Sequence, residues 1–167
     1  GIRGIFISRY EVVASMYAAF LDDRSWHSLE RAFARVPRTS SPADARSSHW
    51  GVDAQGRFQV RALNPWWADD IAVGAVSFQD GLEYARWLTA RCGAGRWVFD
   101  LPTEDEWERA ARGVDGRSFP CGEEFDESFG RMQYSRDGEQ EYPMPEPCGL
   151  FPLDESPFGV RDVAGGL

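Results

Sequence analysis

The chain has 167 residues, 43% hydrophobic and 14% aromatic, enough to bury roughly 70% of the unfolded surface on a real core, so disordered and collagen-like classes are excluded. The 27 acidic residues outnumber 18 basic ones for a net charge of −9, which disfavours nonspecific nucleic-acid binding. Every basic residue is Arg, so Schiff-base chemistry, a Lys general base and a P-loop are excluded.

Residues 2–8 read as a short strand, with Ile5 and Ile7 on one side and Phe6 on the other. Val13, Met16, Tyr17, Phe20 and Leu21 fall at helical spacing and predict a helix over 13–22. Residues 35–48, rich in Ser and Pro, are expected to form a loop. Residues 50–60 predict a hairpin turning around Asp53 to Gly56. Trp66-Trp67-Ala68-Asp69-Asp70 reads as a hydrophobic anchor leading into a strand before Ser77, with an aromatic ligand platform as the other reading.

The clearest helix spans 78–91, with Ser77 as N-cap, Asp80 in capping-box position and Gly93 as the stop. Its predicted apolar stripe is Phe78, Leu82, Ala85, Leu88 and Cys92. Residues 97–101 read as a buried strand. A second capped helix follows from Thr103, with Glu106 at N3, to Gly113, and its predicted buried face is Trp107, Ala110 and Ala111. Residues 113–159 lose periodicity and predict long irregular loops packed on aromatic residues.

No run reaches the ~18 apolar residues that span a bilayer. Cys92, Cys121 and Cys148 show no CxxC spacing, which argues against a disulfide framework or structural zinc and for a reducing cytoplasm. His27 and His49 stand outside any ligand spacing, and no Ser lies in a GxSxG context. Glu104, Asp105, Glu106 and Glu108 suggest paired carboxylates, but capping and the helix dipole account for Glu104 to Glu106. The chain starts at Gly1 and ends in Val163-Ala164-Gly165-Gly166-Leu167. This reads as one domain, 1–167, cut from a longer chain and truncated at its C-terminus.

Several blocks carry a resemblance through their order. They are Arg9-Tyr10-Glu11-Val12, Gly74-Ala75-Val76-Ser77-Phe78, Ala85-Arg86-Trp87-Leu88, LPTEDEWERAARG over 101–113, Phe119-Pro120-Cys121-Gly122, and SPFGVRDVAG over 156–165. Together they resemble the formylglycine-generating enzyme, or sulfatase-modifying factor, family. The match is weakest over 24–65. Gln133-Tyr134-Ser135-Arg136 and Asp154-Glu155-Ser156-Pro157 look most like the variants attached to bacterial serine/threonine kinases. The resemblance implies an α+β, C-type-lectin-like fold with two main helices, a small twisted antiparallel sheet and much irregular loop.

It also implies chemistry that can be checked position by position. The family's oxidase converts a sulfatase cysteine to formylglycine with a copper(I)-binding cysteine pair, suited to that soft ion. That pair lies downstream of the segment seen here, so copper belongs to this protein only if cysteines follow Leu167. Cys92, Cys121 and Cys148 do not match the pair, and Cys121 stands where the family has Trp. Calcium is held in the family by Asn side chains and loop carbonyls. Here the two loops read Gly130-Arg131-Met132 and Gly165-Gly166-Leu167, leaving only main-chain carbonyls, with Asp137, Glu139 and Asp162 as solvated loop charges. A helix-capping Thr of the family is replaced at Val13-Ala14, a loss of about 1 kcal/mol unless another group caps.

The expected function is a non-catalytic recognition or sensory domain of a bacterial regulatory protein, with no catalytic or metal residue in this segment. Its partner is an unknown ligand or protein, a kinase domain in the same chain fits, nucleic acid is not a partner, and no membrane segment is expected. Candidate contacts on the loops are Phe125, Phe129, Tyr134, Arg136 and Tyr142, since aromatics and Arg carry most hot-spot energy. The rivals are an active formylglycine-generating oxidase completed beyond Leu167 and a purely structural assembly domain.

Overall fold

The computed structural model describes residues 4–38, 48, 50–60, 68–124, 126–132 and 146–165. The chain divides into two compact units, Val12–Leu101 and the pair of segments Gly1–Glu11 with Pro102–Leu167. Among the described residues there are four helices and one two-stranded antiparallel sheet, the α+β composition expected.

In the Val12–Leu101 unit, α1 (Ala14–Asp22) starts at Val13, whose side chain gives no cap. Backbone replaces it: the Ala14 N–H donates to Ile71 O at 2.9 Å and the Ser15 N–H to Asp69 O at 3.0 Å. These bonds satisfy first-turn donors that a Thr would otherwise serve. The helix buries Ala14, Tyr17, Phe20 and Leu21. A short α2 (Leu29–Phe33) follows, capped by Ser28.

The hairpin pairs β1 (Gly51–Val52) with β2 (Phe58–Gln59), Val52 opposite Phe58. Asp53 organises its turn, accepting the Gln55 N–H at 2.9 Å and the Arg57 N–H at 2.8 Å, with Gly56 at φ +78°. The 35–48 loop expectation falls mainly outside the described residues.

α3 (Phe78–Cys92) carries the capping box read from Ser77 and Asp80, and Asp80 also pairs with Arg35 at 2.6 Å. Its buried face corrects the predicted stripe: Tyr84, Ala85 and Trp87 are buried, whereas Phe78 is 66% exposed and Cys92 is exposed. The aromatic rings bury more area than the aliphatic stripe and bring a polar tip that needs a partner. Trp87 finds one, donating its indole N–H to Asp23 Oδ2 at 2.8 Å. Hydrogen bonds from Ser25 first, then Trp87, hold the Asp23 carboxyl down at about 2.

Tyr17, Phe20, Trp50, Tyr84 and Trp87 form the aromatic heart of this unit's core. Tyr17 meets Trp50 edge-on at 6.1 Å, and its hydroxyl donates to Arg35 O at 2.9 Å. Burial pushes that phenol well above its ordinary range.

Three predicted strands are absent. Leading into Ser77, residues 68–76 make only an isolated bridge, Ala72 with Val13. Residues 97–101 carry no strand, and Trp97 and Val98 are 48% and 84% exposed. Instead of a ladder, the Phe99 N–H donates to Thr89 Oγ1 at 2.8 Å, and the Trp97 N–H returns to Gly93 O at 3.0 Å. Gly93 is required by that return: a Cβ there would collide with Thr89 O and Trp97 O. Residues 4–8 also carry no strand, and the chain turns where Ser8 Oγ donates to Tyr10 O at 2.6 Å. An alternating apolar pattern makes a strand only where a neighbour supplies the ladder.

In the other unit, α4 (Glu104–Arg112) has the capping box read from Thr103 and Glu106. Ala110 and Ala111 are buried as predicted, but Trp107 is 48% exposed. Close packing is at the far end, where Gly113 (φ +77°) lies so near Pro157 Cγ that a Cβ would approach to 2.9 Å. Thr103→Ala should lower the stability of this unit by about 1 kcal/mol, read by urea unfolding. A loss below ~0.3 kcal/mol would show that Glu106 alone satisfies the helix start.

Candidate functional site

The site with the densest chemistry lies within the Gly1–Glu11 and Pro102–Leu167 unit and is built on turns. The Arg161 N–H donates to Arg9 O at 2.8 Å. Glu155 Oε2 accepts from both Arg9 Nη2 at 3.2 Å and Arg161 Nε at 2.5 Å. Tyr10 packs against Gly149, where a Cβ would come within 2.7 Å of its ring and φ is +79°. These ties fix the N-terminal segment and so place Glu11.

Two aspartates hold the turns behind it. Asp154 is 1% exposed, and its carboxylate accepts the Ala164 N–H at 3.0 and 3.1 Å. The nearby amides of Val163 and Gly165 also favour its ionised form. Asp162 adopts φ +61°, unusual outside Gly, and its Oδ2 accepts the Gly149 N–H at 2.6 Å. That bond offsets the backbone strain.

The result is a shallow cleft of about 10 Å³ lined by Glu11, Arg131, Glu146, Cys148, Phe151 and Asp162. That is room for about one water, far below the roughly 300 Å³ at which small-molecule pockets begin. Glu11 is displaced upward to about 6, first by burial and then by Asp162, with Arg131 opposing. Asp154 is displaced upward too, burial outweighing its amide bonds.

Of the predicted loop contacts, Phe129 is half-buried, its N–H bonded to Asp126 O at 3.0 Å. Phe125, Tyr134, Arg136 and Tyr142 lie outside the described residues, as do Asp137, Glu139, His49, Trp66 and Trp67. Glu106 caps α4 and Glu108 pairs with Arg112 at 2.6 Å, so the acidic run there is engaged structurally. His27 is buried, with Nε2 against Leu21 O at 3.1 Å. Asp162, read as a solvated loop charge, instead lines the cleft.

Sequence reasoning passed over Glu11 and Asp154 as site residues. Both stood inside quoted blocks, and the usable signal was an acid embedded in a turn rich in aromatics and glycine.

Arg131 brings a guanidinium into the cleft at the loop where the resemblance places a calcium-binding Asn. The three cysteines stand on separate elements: Cys92 at the end of α3, Cys121 in the 119–122 turn and Cys148 in the cleft. Among the described residues no group of three or more His, Cys, Asp or Glu side chains gathers with metal-binding geometry, and no helix is long and apolar enough to cross a membrane.

A family model, the sulfatase-modifying factor enzyme 1-like domain, matches residues 1–167. The chain is 34% identical over 100 residues to a formylglycine-generating enzyme of Mycobacterium tuberculosis, covering 55% of this chain and 30% of that protein. It is 32% identical over 114 residues to the serine/threonine-protein kinase pkn1 of Chlamydia caviae, covering 68% and 15%. It is 36% identical over 76 residues to Bacillus subtilis protein YfmG, covering 43% and 13%. The chain therefore spans 30% or less of the length of these curated relatives.

Proposed function

This chain belongs to the sulfatase-modifying factor enzyme 1-like family, and we propose that within it the chain is a non-catalytic recognition or sensory domain of a bacterial regulatory protein. The observation that supports this reading is the kinase among its relatives, which matches over 68% of this chain and suits a regulatory setting, with a kinase domain in the same protein. Cys92, Cys121 and Cys148 show no CxxC spacing, which suits a reducing cytoplasm.

Recognition falls to the irregular loops between about 113 and 160, where Phe125, Phe129, Tyr134, Arg136 and Tyr142 offer aromatic and guanidinium contacts. The second reading is an active oxidase completed by cysteines beyond Leu167, favoured by the formylglycine-generating relative. The full-length protein, loaded with copper(I) and given oxygen and a peptide bearing a sulfatase-type cysteine, separates them by mass spectrometry. No aldehyde product is expected. Catalytic turnover would establish the oxidase and end the sensory reading.

A further inference from the structure

We propose that residues 97–101 are a pairing edge for a second copy of this chain, which docks on them antiparallel about a two-fold axis through Phe99. The edge lies in the Val12–Leu101 unit and stands whether or not the domain is catalytic.

The segment runs back along α3, which fixes it on one side. The Trp97 N–H donates to Gly93 O at 3.0 Å. Phe99 uses both backbone groups on Thr89 Oγ1, donating its N–H at 2.8 Å and accepting the hydroxyl at its O at 3.3 Å. Leu101 lies against Gly81, where a Cβ would come within 3.3 Å of it. A residue that turns its N–H and C=O to one side does so in extended chain, and its two neighbours turn theirs to the other. The backbone groups of Val98 and Asp100 therefore face away from Thr89, and among the described residues they bond nothing. Val98 is 84% exposed, Trp97 48% and Phe99 38%. An apolar edge with unpaired backbone, held in place by a helix, is a template for another extended chain.

A second copy is the occupant this edge complements. The outward-facing Val98 and Asp100 flank Phe99, so in the two-fold register Val98 meets Asp100 of the second copy and Asp100 meets its Val98, each pair exchanging both backbone bonds. Phe99 then stands opposite Phe99, and Trp97 opposite Leu101, apolar against apolar on one face of the pair. On the other face Arg96 falls diagonally across from Asp100 of the second copy, within reach of its long side chain. Both residues are exposed, and among the described residues neither forms an ion pair within its own chain. The register thus places opposite charges together on both sides of the axis. Pro102 has no N–H and ends the edge. So short an edge buries well below the ~800 Å² per partner of a stable interface. The pairing is therefore transient, with a dissociation constant of roughly 0.1–1 mM.

Sedimentation velocity of the 167-residue chain from ~10 µM to ~1 mM should show the mass rising from monomer toward dimer. Hydrogen-exchange protection of the Val98 and Asp100 amides should rise about threefold over the same range, while that of Phe99, already bonded to Thr89, holds. Val98→Pro removes an N–H that the monomer does not use and should abolish the mass rise. Arg96→Asp and Asp100→Arg should each abolish it alone, and an equimolar mixture of the two should restore it, because the mixed pair regains both opposite-charge diagonals. A chain that stays monomeric throughout, or a dimer indifferent to these variants, overturns the proposal. Val98 and Asp100 amides already protected at ~10 µM in the full-length protein would put another segment of that protein on the edge, and overturn it too. If Val98→Pro does not fold, the mixture of the two charge variants decides.

Discussion

Replacing Phe20 by Ala is expected to lower the unfolding free energy of its unit by about 3–5 kcal/mol. Phe20 is 0% exposed, and its ring has four aromatic neighbours: Tyr17 at 5.4 Å, His27 at 4.9 Å, Tyr84 at 5.7 Å and Trp87 at 5.6 Å. Truncation removes the transfer energy of the ring and leaves a cavity among side chains that cannot collapse into it. Two of those neighbours are anchored elsewhere, Tyr17 on Arg35 O and Trp87 on Asp23, so relaxation is limited and the upper part of the range is the better expectation. Urea unfolding followed by tryptophan fluorescence measures it, because Trp87 and Trp50 sit in the same cluster. Phe20→Leu, closer in volume, should cost markedly less than Phe20→Ala. A Phe20→Ala loss under ~1.5 kcal/mol would mean that the cluster does not hold this unit together.

The same cluster shows what was legible in the sequence. Tyr17, Phe20 and Leu21 announced themselves through helical spacing, and the structure buries all three. The capping boxes at Ser77 and Thr103 were legible because cap and partner lie three residues apart and fix their geometry locally. The hairpin was legible for a similar reason, its turn being closed by Asp53 on its own neighbours. Pairing and packing partners distant in sequence were not. Asp69 and Ile71 start α1 from more than fifty residues away, and nothing in the Trp97-Val98-Phe99 pattern reveals that a Thr89 hydroxyl stands where a strand was expected. Trp87 was passed over because hydropathy undervalues an indole whose N–H has an acceptor waiting.

The cleft was less legible than the helices. Its acids come from two distant stretches, Glu11 at one end and Asp154 and Asp162 at the other. Their burial follows from close approaches, such as Tyr10 against Gly149, that leave no periodic trace. Arg131 was the exception: a cationic residue in a loop expected to meet a cation marked the site as altered, and the structure places it in the cleft.

Asp154→Ala should be the most damaging single change in the unit that holds the cleft, at about 3–5 kcal/mol. The carboxylate is 1% exposed and bonds the Ala164 amide at 3.0 and 3.1 Å, with the amides of Val163 and Gly165 beside it. Removing it leaves those donors without their acceptor, at about 1–3 kcal/mol for each one buried. The void is also hard to fill, because Gly130 stands so near Asp154 Oδ2 that a Cβ would come within 3.3 Å. Asp154→Asn separates shape from charge. Its carbonyl oxygen keeps one acceptor, while its NH₂ meets backbone N–H groups that cannot accept, so roughly half the loss should remain. Burial displaces the Asp154 carboxyl upward, so the wild type gives up some stability as pH rises through that titration, a slope that neither variant retains at this position. Urea midpoints at two pH values for the three proteins measure both effects. An Asp154→Ala protein within ~1 kcal/mol of wild type would show that the C-terminal turn stands without its buried acid, and the cleft would lose the wall on which its electrostatics depend.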